Sequence, residues 1–377
     1  MRDTPYTRVD VAVLEQNLAA MADRARARGV ALRPHVKTHK SPDIAARQLA
    51  HGAVGLTVAT VAEAEVFAAH GFDDLFIAYP LWLEGPRAAR LAALLARGVR
   101  LRVGVDSVEG IGMLAAATED SDRSGLTVAV EVDSGHQRSG VDPGRAGALA
   151  RVATELGLEV AGVFTFPGHS YAPDGMNAAA RDEQQALRAA RDAVLRAGLP
   201  CPVVSGGSTP TTSAFSGDPA GGREPLHALA SDDDVLTELR PGVYALGDAQ
   251  QWELGVVDPA SIALSFVATV VSRREGNHGG VRLIVDAGSK ALASDRPAWA
   301  SGFGRCIEHP DAHIVALSEH HATLLFPAAE DAPALGERLR IVPNHVCTAV
   351  NLVDDLVAVH PDGSEEVWPV AARGANT

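Results

Sequence analysis

The feature that most constrains this chain is an alternation. Between residues 31 and 239, eight short runs rich in β-branched residues (31–34, 55–59, 74–79, 101–106, 126–133, 158–165, 202–206 and 236–239) are interleaved with Ala-, Leu- and Arg-rich stretches of helical character, among them 61–70, 86–97, 108–117, 144–156 and 181–197. Strands separated by helices cannot pair as hairpins, so they build a parallel sheet. Eight such units fit a (β/α)8 barrel, with a doubly wound open sheet as the competing arrangement that periodicity does not separate from it. Pro42 falls near the start of the helix after the first run, where its missing N–H costs nothing.

After Tyr244 the texture changes. Short strand-like runs (261–273, 281–286, 313–317, 321–326, 338–342, 356–360) are divided by Gly, Pro, Asp and Asn, and no long helix is evident. This predicts a mostly antiparallel β domain. The expected organisation is a barrel over 8–246 and a β domain over 247–377 that also takes residues 1–7. Hydrophobic residues make up 46% and charged residues 21%, which supports a packed core and leaves only the tail 373–377 to read as disordered. The net charge of -14 argues against nucleic acid as a partner. No run reaches the roughly 18 apolar residues of a membrane span, and the first residues carry no apolar signal core. Three distant cysteines do not make a disulfide framework. The expectation is a cytoplasmic protein.

Four segments can carry chemistry. Arg33-Pro34-His35-Val36-Lys37-Thr38-His39-Lys40 lies at the end of the first run, on the catalytic face if the barrel forms. Burial there favours a neutral, nucleophilic lysine, while a basic surface loop is the competing reading. Ser205-Gly206-Gly207-Ser208-Thr209-Pro210-Thr211 and Arg240-Pro241-Gly242-Val243-Tyr244 follow the seventh and eighth runs. Glycines let backbone N–H groups approach a phosphate, and barrels place phosphate sites in these two loops. Pro343-Asn344-His345-Val346-Cys347 lies in the β domain. On a strand His345 and Cys347 would share a face, and imidazole plus thiolate favours zinc; a buried structural cysteine beside a chance histidine competes. His136 and His169 follow the fifth and sixth runs, on the same catalytic face.

Together these segments resemble the fold-type III pyridoxal phosphate (PLP) enzymes of the D-threonine aldolase and D-serine dehydratase family, whose N-terminal domain is alanine racemase-like. The resemblance covers nearly the whole chain. Seven stretches match in order: Pro34–Thr38, 133–140, 168–171, 206–211, 240–244, Asp286-Ala287-Gly288 with Lys290-Ala291-Leu292, and His345-Val346-Cys347.

The resemblance implies that Lys37 carries PLP and that Gly207, Ser208, Thr209, Gly242 and Val243, with Tyr244 beside them, hold its phosphate. Arg138 and Tyr171 would border its ring and phenolic oxygen, and Arg240 matches the position that contacts the pyridine nitrogen in related racemases. His345 and Cys347 would bind a divalent metal, zinc or manganese/magnesium. His169 and His321 join Lys37 as candidate acid–base groups. Two stretches depart from the family pattern: His320 replaces an acid in Ser318-Glu319-His320-His321-Ala322, and Phe166-Pro167 stands where some members carry a histidine and a small residue.

The implied substrates are small β-hydroxy-D-amino acids. Retro-aldol cleavage to glycine and an aldehyde is favoured over dehydration to a 2-oxo acid and ammonia. Racemase chemistry needs a second base, a tyrosine from the β domain, and this chain has none after Tyr244. A PLP carrier would be a barrel alone and would leave everything after residue 248 without a purpose. The resemblance also implies a head-to-tail homodimer, with His345 and Cys347 serving the neighbouring subunit's Lys37.

Overall fold

A computed structural model of the chain describes residues 2–214, 234–275 and 280–377. They fall into two compact units. One comprises Ala20–Lys37, Ala45–Gly242 and Gly374–Thr377, the other Met1–Ala19, Thr38–Ile44 and Val243–Arg373.

In the first unit the strands Ala31–Leu32, Leu56–Val58, Asp74–Ile77, Arg100–Val105, Leu126–Glu131, Glu159–Phe164, Val203–Gly206 and Glu238–Leu239 run parallel, pair in chain order, and return from the eighth to the first. The ring closes between the first and second strands. There the ladder is a bridge between His35 and Thr57, with Thr57 N donating to Pro34 O at 2.8 Å and Val54 N to Leu32 O at 2.9 Å. An open sheet would leave those two strands as edges, so these bonds decide for the barrel. Each of the eight sequence runs lies over one of its strands.

The outer helices keep one apolar stripe inward, as Leu91, Leu94 and Leu95 in Gly85–Ala96 and Ile111, Leu114 and Ala115 in Val108–Ala117 show. Their starts are capped. Thr60 Oγ accepts from Glu63 N, and Ser107 Oγ from Gly110 N. The tail, which composition marks for disorder, is ordered: Ala62 N donates to Thr377 O and Thr60 Oγ to Ala375 O, each at 2.8 Å. Specific backbone partners hold it, and composition does not disclose partners.

The barrel interior carries charge. Arg33 Nε donates to Glu238 Oε2 at 2.8 Å, Arg102 to Glu238 Oε1 at 2.9 Å, and Ser205 Oγ to the same oxygen at 2.7 Å; Arg33 also reaches Asp74. Burial works against the Glu238 carboxylate, but Arg102 and Arg33 outweigh it and hold its pKa below the ordinary range. Removing one partner of a buried network strands the others without compensation. Glu238→Ala is therefore expected to cost about 3–5 kcal/mol, read as a fall in the urea midpoint at constant slope. A change under about 0.5 kcal/mol would show that the network is not structural.

In the second unit Leu264–Glu275, Val281–Val285, Ala322–Phe326, His313–Leu317, Gly304–Cys306 and Arg338–Pro343 pair in that order, antiparallel, and the last returns to the first. This closes a six-stranded barrel. Tyr6–Asp10 extends it, antiparallel to Leu264–Glu275 and parallel to Asp355–Val359, which pairs in turn with Glu365–Pro369. The strands Gly304–Cys306 and Glu365–Pro369 have no counterpart among the sequence runs, because one is three residues long and the other opens on two glutamates. Among the described residues no helix is long and apolar enough to cross a membrane.

Candidate active site

The C-terminal ends of the barrel strands bring together residues from four loops. Lys37 sits half-buried in the tight turn Val36–Thr38 after the first strand, its Nζ 5.6 Å from the Phe166 ring centroid. Arg138, in the loop after the fifth strand, places its guanidinium 5.0 Å from the same ring. Tyr171 lies 6.3 Å from it, centroid to centroid, and His136 meets it edge-on at 5.7 Å. Phe166 is thus the surface these loops share, a role the sequence reading did not assign to it. His169 pairs through Nε2 with Asp182 at 3.2 Å, and its buried Nδ1 has no partner.

The loop after the seventh strand is built around Gly207, at φ +84°, where a Cβ would lie 2.9 Å from Leu239. Ser208 and Thr211 cap one another: Ser208 N donates to Thr211 Oγ1 at 2.9 Å and Thr211 N to Ser208 Oγ at 3.1 Å. Ser208 Oγ also meets Ser170 Oγ at 2.9 Å, and Thr209 opens the helix Thr209–Ala214. Gly207 N donates to Glu183 Oε1 at 2.6 Å, and burial pushes that carboxyl up to about 7 against this bond. Arg240 lies inside the barrel rather than on its rim. Its Nε donates to Ser205 Oγ at 2.8 Å, another nitrogen reaches Thr165 O, and the guanidinium lies 5.4 Å from the Phe76 ring and 5.1 Å from Phe164. Gly242 follows it at the edge of this unit.

Several buried polar atoms here lack partners: His35 Nδ1, Glu131 Oε2, Glu183 Oε2 and Thr212 Oγ1. Buried groups of this kind carry a desolvation cost unless a ligand or water meets them. The site is also electropositive. Burial, then Lys37, Arg240 and Arg138 depress the His35 pKa well below its ordinary value. The cations around His35 suit an anionic ligand, while the two orphan carboxylate oxygens call for hydrogen-bond donors.

In the second unit His345 and Cys347 do come together, though not as sequence spacing suggested. They are not on a strand: His345 is extended (φ -131°) and caps the short helix Val346–Val350, which contains Cys347. A strand would place i and i+2 on one face; here the turn into the helix swings Cys347 round to His345. Burial disfavours the charged imidazole, but the negative charge on Cys347, the Asp295 hydrogen bond and a hydrogen bond to Cys347 itself outweigh it and push His345 up to about 11 without metal. A metal ion replaces those protons. His345 Nδ1 meets Asp295 Oδ2 at 2.7 Å, and Thr348 Oγ1 donates to Asp295 Oδ1 at 2.8 Å. That leaves Nε2 as the ligand atom, the arrangement a carboxylate-oriented metal histidine adopts. Asp248 steadies the helix by accepting from Val346 N at 3.2 Å; burial raises its pKa to about 6.

Asp295, 50 residues from His345 in sequence, carries no local signal and was not anticipated. Val243 and Tyr244 are buried in the turn Val243–Ala245 of this unit. His321 is exposed in the turn between His313–Leu317 and Ala322–Phe326, where Ser318 N donates to its carbonyl oxygen at 2.8 Å. Among the described residues no third His, Cys, Asp or Glu completes a metal cluster.

Comparison with known proteins matches residues 9–250 to the alanine racemase N-terminal domain and residues 263–359 to the putative serine dehydratase domain. The D-threo-3-hydroxyaspartate dehydratase of Delftia sp. (strain HT23) is 36% identical over 97% of this chain and 96% of that protein, and the D-threonine aldolase of Arthrobacter sp. is 34% identical over 99% and 93%. The dehydratase structure superposes with a TM-score of 0.83 at 34% identity over 98% of this chain and 97% of that one. The D-threonine aldolase structure from Filomicrobium marinum gives 0.83 at 31% over 100% and 97%. Further solved forms of the dehydratase are a histidine-to-alanine variant and a cysteine-to-alanine variant, the latter described as metal-free. Two matched domains, over the two folds just described, make this chain an enzyme of the D-threonine aldolase and D-serine dehydratase family, a lyase on an alanine racemase-like framework.

Proposed function

We propose that this chain is a PLP- and divalent-metal-dependent lyase that dehydrates small β-hydroxy-D-amino acids, such as 3-hydroxy-D-aspartate or D-serine, to a 2-oxo acid and ammonia. The observation that carries the metal-dependent lyase is the His345–Cys347 pair, oriented by Asp295, and dehydration is put first on the 36% identity of the dehydratase relative over 97% of this chain. The dehydratase relative has a metal-free form that is its cysteine-to-alanine variant, and this chain keeps a cysteine two residues after a histidine. Retro-aldol cleavage, favoured by sequence alone, stands as the second reading because two aldolases are about as similar as the dehydratase.

The residues fit both groups. The positive field around His35 suits an anionic cofactor such as PLP, and the buried Thr212 hydroxyl beside the Gly207 loop has no partner. Lys37 would hold the cofactor, with Gly207, Ser208, Thr209, Gly242 and Val243 at its phosphate, and Arg138, Tyr171 and Arg240 around its ring. His345 and Cys347 would hold the metal, for which the thiolate favours zinc. When bound, PLP supplies an electron sink and the metal a Lewis acid for the substrate β-hydroxyl.

The chain's own residues do the rest. Lys37 would hold the cofactor and, with substrate bound, its Nζ would take the proton from Cα. Phe166 excludes water on the side where it meets Lys37 and Arg138. His169, held by Asp182, is the second proton-transfer group, and His321 is kept as a candidate on the resemblance alone. Overall, the Cα–H and Cβ–O bonds break, water leaves, and hydrolysis of the resulting imine returns one water and releases ammonia. The family resemblance supports a homodimer.

The test is a product assay on the PLP- and metal-loaded protein with 3-hydroxy-D-aspartate, D-serine and D-threonine. Ammonia and a 2-oxo acid in equal amounts, without glycine, is the expected result. Glycine plus an aldehyde as the main products would move the assignment to the aldolase.

A further inference from the structure

The loop 133–140 that presents Arg138 is fastened at many points. Val141 N donates to Glu131 O, Asp133 N to Val141 O, and Gly135 N and Gln137 N to Asp133 Oδ1. Gly140, at φ +93°, donates to Asp106 Oδ2 at 3.2 Å, and a Cβ on it would lie 2.7 Å from the Val132 carbonyl carbon. None of these bonds fixes the Arg138 side chain. It is exposed, and its guanidinium rests on the Phe166 ring.

Beneath the loop lies Glu131, the last residue of the fifth strand and 3% exposed. One oxygen, Oε1, accepts from Ser139 Oγ at 2.8 Å. The other, Oε2, is buried and has no hydrogen-bond partner. Glu131 and Arg138 both line a small cavity open to solvent, together with His136, Ser139, Thr165 and Phe166. A buried carboxylate oxygen with no donor is costly unless something meets it. The donor-rich group among the residues that line this cavity is the Arg138 guanidinium. Burial, helped by Asp106, raises the Glu131 pKa against the Ser139 hydrogen bond and the charges of Arg138 and Arg240.

We propose that Glu131 is the positioning residue of Arg138: its unpartnered oxygen takes one N–H of the guanidinium when cofactor is bound, turning the other donors of the fork towards the phenolic oxygen of PLP. Ser139 holds the first oxygen and leaves the second for that bond. The guanidinium has five N–H donors in a fixed plane, so one bond to Glu131 sets the direction of the rest. This rests on the reading of Arg138 as a cofactor contact.

The experiment measures the PLP dissociation constant of the full chain by fluorescence titration, and the pH at which the visible band of the loaded protein titrates. It uses wild type, Glu131→Gln, Arg138→Ala and the double variant. Gln keeps an acceptor for Ser139 and nearly the same volume, so the fold is retained; Glu131→Asp serves as the rescue, restoring the charge on a shorter stem. Glu131→Gln is expected to weaken PLP about tenfold and shift the band titration, with Glu131→Asp recovering part of both. In the Arg138→Ala background the Glu131 substitution should have no further effect.

If Glu131→Gln weakens PLP by the same factor with and without Arg138, Glu131 is merely structural and the proposal is overturned. It is equally overturned if Arg138→Ala weakens PLP while Glu131→Gln changes nothing, an outcome that leaves the reading of Arg138 standing. If Arg138→Ala leaves both affinity and band unchanged, that reading falls, and the proposal with it.

Discussion

Lys37→Ala is expected to lower turnover of β-hydroxy-D-amino acids by about a thousand-fold or more, and to remove the visible absorption that PLP gives on the wild-type chain. Two losses combine at one atom. On the proposed reading Nζ anchors the cofactor, and the same Nζ is the base that takes the Cα proton. Neither can be replaced by His35 two residues away, because burial, with Arg240 and Arg138 still nearby, keeps that imidazole neutral and poor as a base. The side chain is only half-buried and its turn is held by backbone bonds, so the unfolding midpoint should move little. That separates a chemical loss from a folding loss. Retention of both colour and activity in a folded Lys37→Ala protein would mean that the cofactor is held elsewhere, and the assignment of the whole catalytic face would fall.

The second large effect is at the metal pair. Cys347→Ala should reduce bound metal from about one ion per chain to near none and lower turnover by about 100- to 1000-fold, the several kcal/mol a Lewis acid supplies at a leaving oxygen. The visible band of the loaded protein should persist, because that pair does not anchor PLP. His345→Ala should do the same, and the double variant should be hardly worse than either, since one remaining ligand cannot hold the ion. Full metal content in Cys347→Ala, measured by plasma emission, would show that the ligand set is different. In that event Asp295, hydrogen-bonded to His345 Nδ1, becomes the residue to examine.

Much of this was legible in the residues. Eight β-branched runs at regular spacing imply a parallel sheet because helices between strands forbid hairpins. Each run proved to be a strand, and a barrel strand's C-terminal end is where a functional loop begins, so Lys37, Arg138, His169 and Gly207 fell on one face together. The ordered set of motifs, rather than any one of them, identified the family. Single motifs were ambiguous for a physical reason: a Gly-Gly-Ser turn or a basic loop has the same local chemistry whether or not a ligand sits in it.

Other features depended on tertiary structure. The closure of the sheet rests on a few backbone bonds around His35 and Thr57, which no periodicity encodes. The His345–Cys347 pair met through a turn into a helix, because the local rule for strands does not know that the strand has already ended at Pro343. Asp295, Asp182 and Glu131 hydrogen-bond to residues 50, 13 and 8 positions away, and hydrogen bonds of that kind leave no periodic trace. Sequence by itself determined the class of fold and the family. Only the tertiary structure decided how the chemical groups are aimed, because the direction of a side chain is set by partners that are remote in the chain and adjacent in space.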